Sequence, residues 1–474
     1  MSESDKIAAA LKAPPLDAEA ASAMDEEDRL RPEFVERVLD AVEAGDDQIA
    51  RELVAPLHPA DVADLIELAA RDDRDGLVRA LAGIVDADVL AEMNDYVRED
   101  LLDALEPQQV AHFAGQLETD DAVAILEDME EDEQRAVLSA MDPDDRAAIE
   151  EALTYPEESA GRLMQRELIA VPEHWDVGQV IDYLRSPGEL ADDFWEVFVV
   201  SPDHHPVGTC KLSSILRVSR STPVRDIMIR EQTLIPVDMD QEDVALRFQK
   251  YALVSGAVVD SSGRLVGMIT VDDIVHIIQE EASEDALLLS GVDEGDINEP
   301  VGESYRARVR WLMANLLTAL VATFVIHQFE DTIERLAILA ALMPIVAAVG
   351  GNAGTQALAV TVRALATNQL TGSNRWRAVG REAKLALMNG VTIAILIGTG
   401  VTVVLGSTTL GMVIAAAMLF NIIIAGFAGV LVPLLLERAG ADPAVASSVF
   451  LTTITDSMGF LLFLGLASAS GLAG

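Results

Sequence analysis

The chain has 474 residues, half of them apolar, with a net charge of −46 and one cysteine, Cys210. These values exclude an internal disulfide framework and a cysteine-built zinc cluster, and a surface this acidic repels nucleic acid and anionic lipid while attracting cations. No basic start followed by an apolar core opens the sequence, so no secretory signal is expected.

The charge is unevenly placed. Of the 79 acids and 33 bases, only seven of each lie from Trp311 onward, which leaves 72 acids and 26 bases in residues 1–310. Residues 1–30 read as a flexible acidic N-terminus, and residues 31–155 as a helical domain with an internal repeat. Segments beginning at Leu105, Leu117, Met129 and Met141 each start twelve residues after the last, with an apolar anchor, a polar or proline helix start, acids in the first turn and an apolar run. That pattern predicts short helices stacked as a solenoid, an architecture used more often for binding or leverage than for catalysis.

Residues 156–280 read as a tandem of two α/β units. One opens at Ile169-Ala170-Val171-Pro172 and the other at Leu234-Ile235-Pro236-Val237, each followed by a helix and a hairpin; the second hairpin turns at Ser261-Ser262-Gly263. His204 and His205 fall in a Pro-flanked turn and read as surface residues. Residues 281–310 read as a connector that begins on an acidic helical face at Glu281, Glu284 and Asp285 and ends on Arg306, Arg308 and Arg310. By composition such a connector is equally a gate or a solvated linker.

Residues 311–474 are nearly free of charge in four stretches, one of them long enough for two helices, so five membrane spans are predicted: 312–328, 336–362, 384–405, 411–436 and 444–472, with a turn from Gly406 to Gly411. Arg363, Arg375, Arg377, Arg381 and Lys384 are expected to fill the loop after the second span, which with the three arginines before the first puts both on the cytoplasmic side. The large N-terminal half is then cytoplasmic and the C-terminus outside.

One carboxylate, Asp456, interrupts an otherwise uncharged stretch from Pro443 to Gly474. An ionisable group inside a membrane is expensive unless it meets protein, water or a cation, so it marks a functional site or, failing that, a packing contact. Ser448, Thr452 and Asp456 share one helical face. In the second span, PIVAAVGGNAGTQ from Pro344 to Gln356 offers three glycines for a close helix approach or a local break, and Asn352 and Gln356 as amides one turn apart. Asn389 and Asn421 read as hydrogen-bonding glue between helices. No nucleophile-base pair or glycine-rich phosphate loop appears, so an enzyme is not expected.

With Thr270-Val271-Asp272-Asp273 as its most typical part, the tandem resembles a pair of CBS domains. The order helical domain, CBS pair, acidic connector and five spans, together with PIVAAVGGNAGTQ, RVRWL before the first span, DPA at Asp442 and TTITDSMGF around Asp456, resembles the MgtE family of magnesium channels and transporters. The resemblance implies a multidomain membrane protein: an α-helical solenoid N domain, tandem α/β CBS domains, a connecting plug helix and an all-α five-helix pore domain. It implies a homodimer in the cytoplasmic membrane that imports Mg2+, with the second and fifth spans lining the pore and the Asp456 pair at its selective site. Thr452 and Asn352 are implied as further pore oxygens, with Asp442 at the cytoplasmic mouth. Asp88, Asp120, Asp240, Glu242, Asp273, Glu281, Glu284 and Asp285 are implied as regulatory acids that sense Mg2+ and close the pore. Ala124, Ala252 and His276 stand where acids are found in such sensing sites. Ser213-Ser214 replaces a basic-acidic pair expected for ATP binding in the first CBS unit. A wider divalent transporter for Mn2+ or Co2+ and a membrane-anchored CBS sensor are the alternatives.

Overall fold

A computed structural model describes residues 23–127, 129–186, 194–230, 232–292, 295 and 297–472. Two compact units divide the chain, the first ending at Ile277 and the second beginning at Ile278.

Among the described residues the first unit opens with ten short helices: α1 (Pro32–Glu43), α2 (Asp47–Val54), α3 (Pro59–Leu68), α4 (Arg71–Ala80), α5 (Ala87–Ala91), α6 (Asp95–Leu102), α7 (Pro107–Ala114), α8 (Thr119–Glu127), α9 (Glu131–Ala140) and α10 (Pro143–Ala152). The twelve-residue spacing maps onto α7 to α10. Pro107 and Pro143 sit at helix starts, where a missing N–H is harmless and the fixed φ suits the helix. Their apolar faces join one core with Leu65, Ile66, Leu77, Leu81, Val97 and Leu126. Residues 1–22 lie outside the described residues, but residues 23–30 do not belong to a flexible tail. Ala23 and Leu30 are buried against the helical core, held by a turn in which the Asp25 carboxylate accepts from the Glu27 and Arg29 N–H groups.

The tandem follows as β1 (Ala170–Pro172), α11 (Val177–Leu184), β2 (Glu196–Val200) and β3 (Pro206–Lys211), with α12 (Leu212–Arg217) and α13 (Val224–Ile227) leading to β4 (Leu234–Pro236), α14 (Gln241–Tyr251), β5 (Ser255–Val259) and β6 (Leu265–Thr270). In each three-stranded sheet the middle strand pairs parallel with the first and antiparallel with the third, so the two units share one topology. Gly263 has φ +84°, and Asp260 accepts from the N–H of Ser262 and Arg264, which fixes the second hairpin. Phe198 and Val200 of one sheet pack against Ala257, Leu265 and Met268 of the other.

Ala252 caps α14 in the left-handed conformation at φ +50°, where a Cβ is disfavoured. Ala252→Gly is therefore expected to raise the stability of this unit by ~0.5–1 kcal/mol, read as a higher denaturation midpoint. A lower midpoint would show that the methyl group makes a contact worth more than the strain.

α15 (Val271–Leu289) runs out of the tandem into the second unit. The connector is thus not a helix over 281–310: this helix starts ten residues earlier than that stretch and ends at Leu289, and the next begins at Val301, with Pro300 as its N-cap. Then come α16 (Val301–His327), α17 (Glu330–Arg335), α18 (Ile338–Ala366), α19 (Arg375–Leu405), α20 (Thr408–Ala439) and α21 (Pro443–Ala469). Five of them, α16 and α18 to α21, are long and apolar enough to cross a membrane. α20 is the most buried and packs on α18, α19 and α21.

Two expectations need correction here, and one open alternative is decided. Arg375, Arg377, Arg381 and Lys384 are not in a loop but in the first turns of α19, and Arg363 is in the last turn of α18, because basic residues are compatible with helix beyond the apolar core. The break between the third and fourth spans is shorter than Gly406 to Gly411: Gly406 ends α19 at φ +66°, and Ser407 caps α20 by accepting from the Leu410 N–H. Gly411 is inside α20, where its missing side chain admits Thr402 and Gly398 of α19. Of the α18 glycines, Gly350 and Gly354 serve a close approach while Gly351 faces open space, and the helix is unbroken through all three.

Candidate functional site

Three spans meet around one amide. Asn421 of α20 is fully buried and its Nδ2 donates to the Val346 carbonyl of α18 at 3.1 Å. Gly350 of α18 and Gly459 of α21 both face it, so that a Cβ at either position would collide with the Asn421 side chain. Asn421 Oδ1 has no hydrogen-bond partner. One turn along, Leu451 of α21 fills the space over Gly354, and Ala357 lies over Gly429 of α20. Small residues thus bring α18 and α21 against the same central helix.

What those two helices leave exposed mixes polar and apolar positions. On α18 the exposed positions Pro344, Ala348, Asn352, Thr355 and Ala359 recur at helical spacing, with Gln356 beside them. On α21 Thr452 is exposed and Ser448 and Asp456 are half-buried on its face. The Thr452 hydroxyl donates to the Ser448 carbonyl at 2.9 Å, leaving its oxygen lone pairs available. Asp456 has no hydrogen bond or ion pair among the described residues, so its carboxylate is not consumed by packing.

At the N-terminus of α21, Asp442 is the N-cap, accepting from the Ala444 N–H at 2.7 Å ahead of Pro443. Its charge reaches Asp285 of α15, whose carboxyl is pushed above the ordinary range by burial first and by the Asp442 charge second. Leu288, one turn on, is buried with Leu358, Val362, Ala428, Ala444 and Leu451, so the end of α15 is packed against α18, α20 and α21. Glu281 and Glu284 occupy the same helix, half-buried and exposed respectively.

A second acidic site forms in the first unit. Asp120 of α8 and Asp273 of α15 come together, joined by Glu118, Asp121 and Asp272. Burial, then mutual repulsion, raises the carboxyls: Glu118 to about 7, Asp121 to about 6, and Asp120 well above the ordinary range. Thr270 Oγ1 donates to Asp273 at 2.7 Å, and His276 partly offsets its repulsion. Asp88 lies in the same pocket as Glu92, Glu118, Asp121 and Asp272. Asp240 and Glu242 are elsewhere, at the start of α14, where Asp240 caps the helix by accepting from the Glu242 N–H. Glu118 and Asp121 escaped the sequence reading although they flank Asp120 in the repeat segment; only the docking of α8 on the tandem, through Gln165 to Glu118 at 2.7 Å and Thr119 to Glu167 at 2.9 Å, gathers them.

Among the described residues no three His, Cys, Asp or Glu side chains converge tightly enough to ligate one metal ion directly. The acids suit a hydrated divalent cation better, held through its own water, and the buried, partnerless Asp120 Oδ1 is an acceptor for such a donor. At Ala124 the structure has the Arg98 guanidinium, donating to that residue's carbonyl at 3.4 Å and to Asp95, so a fixed cation occupies part of this surface.

Family models match in three places: the divalent cation transporter MgtE over residues 343–466, the MgtE intracellular N domain over 57–158 and the CBS domain over 224–280. The magnesium transporter MgtE of Enterococcus faecalis is 33% identical over 67% of this chain and 70% of its own length, and that of Thermus thermophilus is 30% identical over 90% and 96%. A solved structure, the cytosolic domain of the Mg2+ channel MgtE in complex with ATP, is 28% identical over 51% of this chain and 99% of that one, with a TM-score of 0.47. On the identity and coverage of these full-length relatives, the chain is a multi-pass membrane protein that belongs to the MgtE family of magnesium and divalent cation transporters.

Proposed function

We propose that the chain is a homodimeric channel that brings Mg2+ into the cytoplasm and closes when internal Mg2+ occupies its acidic sites. The observation that carries this reading is the uncommitted carboxylate of Asp456 inside a membrane span, on a stripe with Ser448 and Thr452. One chain presents one such carboxylate, and a two-fold pairing would present two to a single divalent ion. Mg2+ gives up its water reluctantly, so two carboxylates with Thr452 and Asn352 oxygens would hold it through its hydration shell. The basic residues at the start of α16 and at the α18 to α19 connection favour a cytoplasmic N-terminus by the positive-inside rule. Ser213 and Ser214 supply no charge for a nucleotide, and gating is read as driven by Mg2+ alone.

Purified protein in vesicles should accumulate Mg2+ down its gradient. Faster uptake of Mn2+ or Co2+ than of Mg2+ at matched concentrations would favour the wider divalent transporter, and uptake of none of them would leave a membrane-anchored sensor.

The sensing acids give a pH signature. A carboxyl held above its ordinary value favours the folded state while protonated, and that contribution is lost as pH rises through the folded values. For Glu118 and Asp121 the loss should run from the ordinary carboxyl range up to about 7 and about 6 respectively. Without Mg2+ the melting temperature should therefore fall over this window, and the gain on adding Mg2+ should be larger at pH 7.5 than at pH 5.5, where protons hold the same oxygens. An equal gain at both pH values, at matched ionic strength, would remove the cluster from sensing.

A further inference from the structure

The first turns of α19 sort their basic residues in two ways. Arg375 is neutralised by Glu437, with Nη2 at 2.6 and 2.9 Å from its carboxylate oxygens. Arg377, Arg381 and Lys384 are exposed on one face and have no carboxylate partner among the described residues. They line an open groove of about 560 Å³ with Gly380 and Leu385. Gly380 has open space where a side chain would stand, which keeps the floor between the cations clear.

Below the cations the same face becomes apolar and stays exposed: Met388 at 66%, Val391 at 43% and Ile395 at 64% continue at intervals of three and four residues. Trp376, immediately before Arg377, is also exposed. A smaller cavity of about 200 Å³ shares Arg381 and Leu385 and is also lined by Gln356, Asn389 and Glu382, so the carboxylate of this stretch faces that cavity, whereas the larger groove is lined by cations alone among its charged residues.

We propose that this groove binds the phosphate headgroup of an anionic membrane phospholipid, with its acyl chains lying along Met388, Val391 and Ile395. Basic pockets at the membrane boundary recruit such headgroups, and here positive charge passes directly into lipid-depth apolar surface on one helix face. A second copy of the chain laid symmetrically on this face would bring six cations together. The acidic residues 1–310 could meet the charges but not the apolar continuation, so a ligand with an anionic head and an apolar body fits the whole surface.

The test is native mass spectrometry of the full-length protein titrated with phosphatidylglycerol and phosphatidylcholine. The comparison is between the Arg377→Gln/Arg381→Gln/Lys384→Gln variant and a control with the same charge change, Arg306→Gln/Arg308→Gln/Arg310→Gln. Each basic residue near an anionic headgroup contributes roughly fivefold in affinity, so one substitution should weaken phosphatidylglycerol retention by about fivefold and the triple variant by roughly a hundred-fold, with the control unchanged. Equal retention in the triple variant, or an equal loss in the control, overturns the site. Displacement of phosphatidylglycerol by inorganic phosphate at comparable concentration would make it a site for free anions, and an altered oligomeric state with lipid retention unchanged would give the face to a second copy; either result also overturns the proposal.

Discussion

Asp456→Asn is expected to lower Mg2+ uptake by roughly a hundred-fold or more, since two charge-assisted contacts to the hydrated ion are lost in a dimer. Asparagine keeps the shape and one oxygen of the carboxylate, so the change isolates charge. Asp456 makes no hydrogen bond or ion pair among the described residues, and the fold should not depend on it. The variant should therefore elute and melt as the parent does, while vesicle uptake falls to background. A well-folded variant that transports Mg2+ at the parent rate would make Asp456 a packing residue and would take the proposed pore with it.

Asp456 was legible in the sequence because the membrane imposes a strict rule: a lone charge in an apolar stretch stands out by composition. The five spans were legible for the same reason, while their ends were not. Hydropathy reports which residues tolerate lipid and not where hydrogen bonding of the helix begins, which is why α19 starts at Arg375 and not at Lys384. The tandem units were legible through strand alternation and the Ser261-Ser262-Gly263 turn. Asn421 read as glue, and its bond to Val346 agrees, but its place between Gly350 and Gly459 needs three helices to be in position. The acidic cluster was legible only as separate acids. Asp120 and Asp273 are far apart in sequence, and what gathers them with Glu118 and Asp121 is the docking of α8 on the tandem, which no local pattern encodes.

Replacing Glu281, Glu284 and Asp285 together with alanine is expected to abolish or strongly weaken inhibition by internal Mg2+ while leaving the preference among divalent ions unchanged. Burial and then the Asp442 charge push the Asp285 carboxyl up, and two carboxylates near enough to act on each other repel unless a cation or a proton is present. Asp442 caps α21, which also carries Thr452 and Asp456, and Leu288 is packed against α18, α20 and α21. An ion shared by Asp285 and Asp442 would therefore tie the end of α15 to the helices proposed to line the pore. Losing the charge-assisted contacts of α15 should raise the Mg2+ concentration for half-inhibition by roughly ten-fold or more. Such a ligand shifts an open-closed equilibrium only by its differential affinity for the two states, so the chemistry at Asp456 is untouched. Patch recordings over a range of cytoplasmic Mg2+ would read both quantities at once. Inhibition retained at the parent concentration would make this stretch of α15 a linker, and altered selectivity would mean that gate and filter are not separate; the packing of Leu288 beside Leu451, one residue from Thr452, makes that second outcome the sharper challenge.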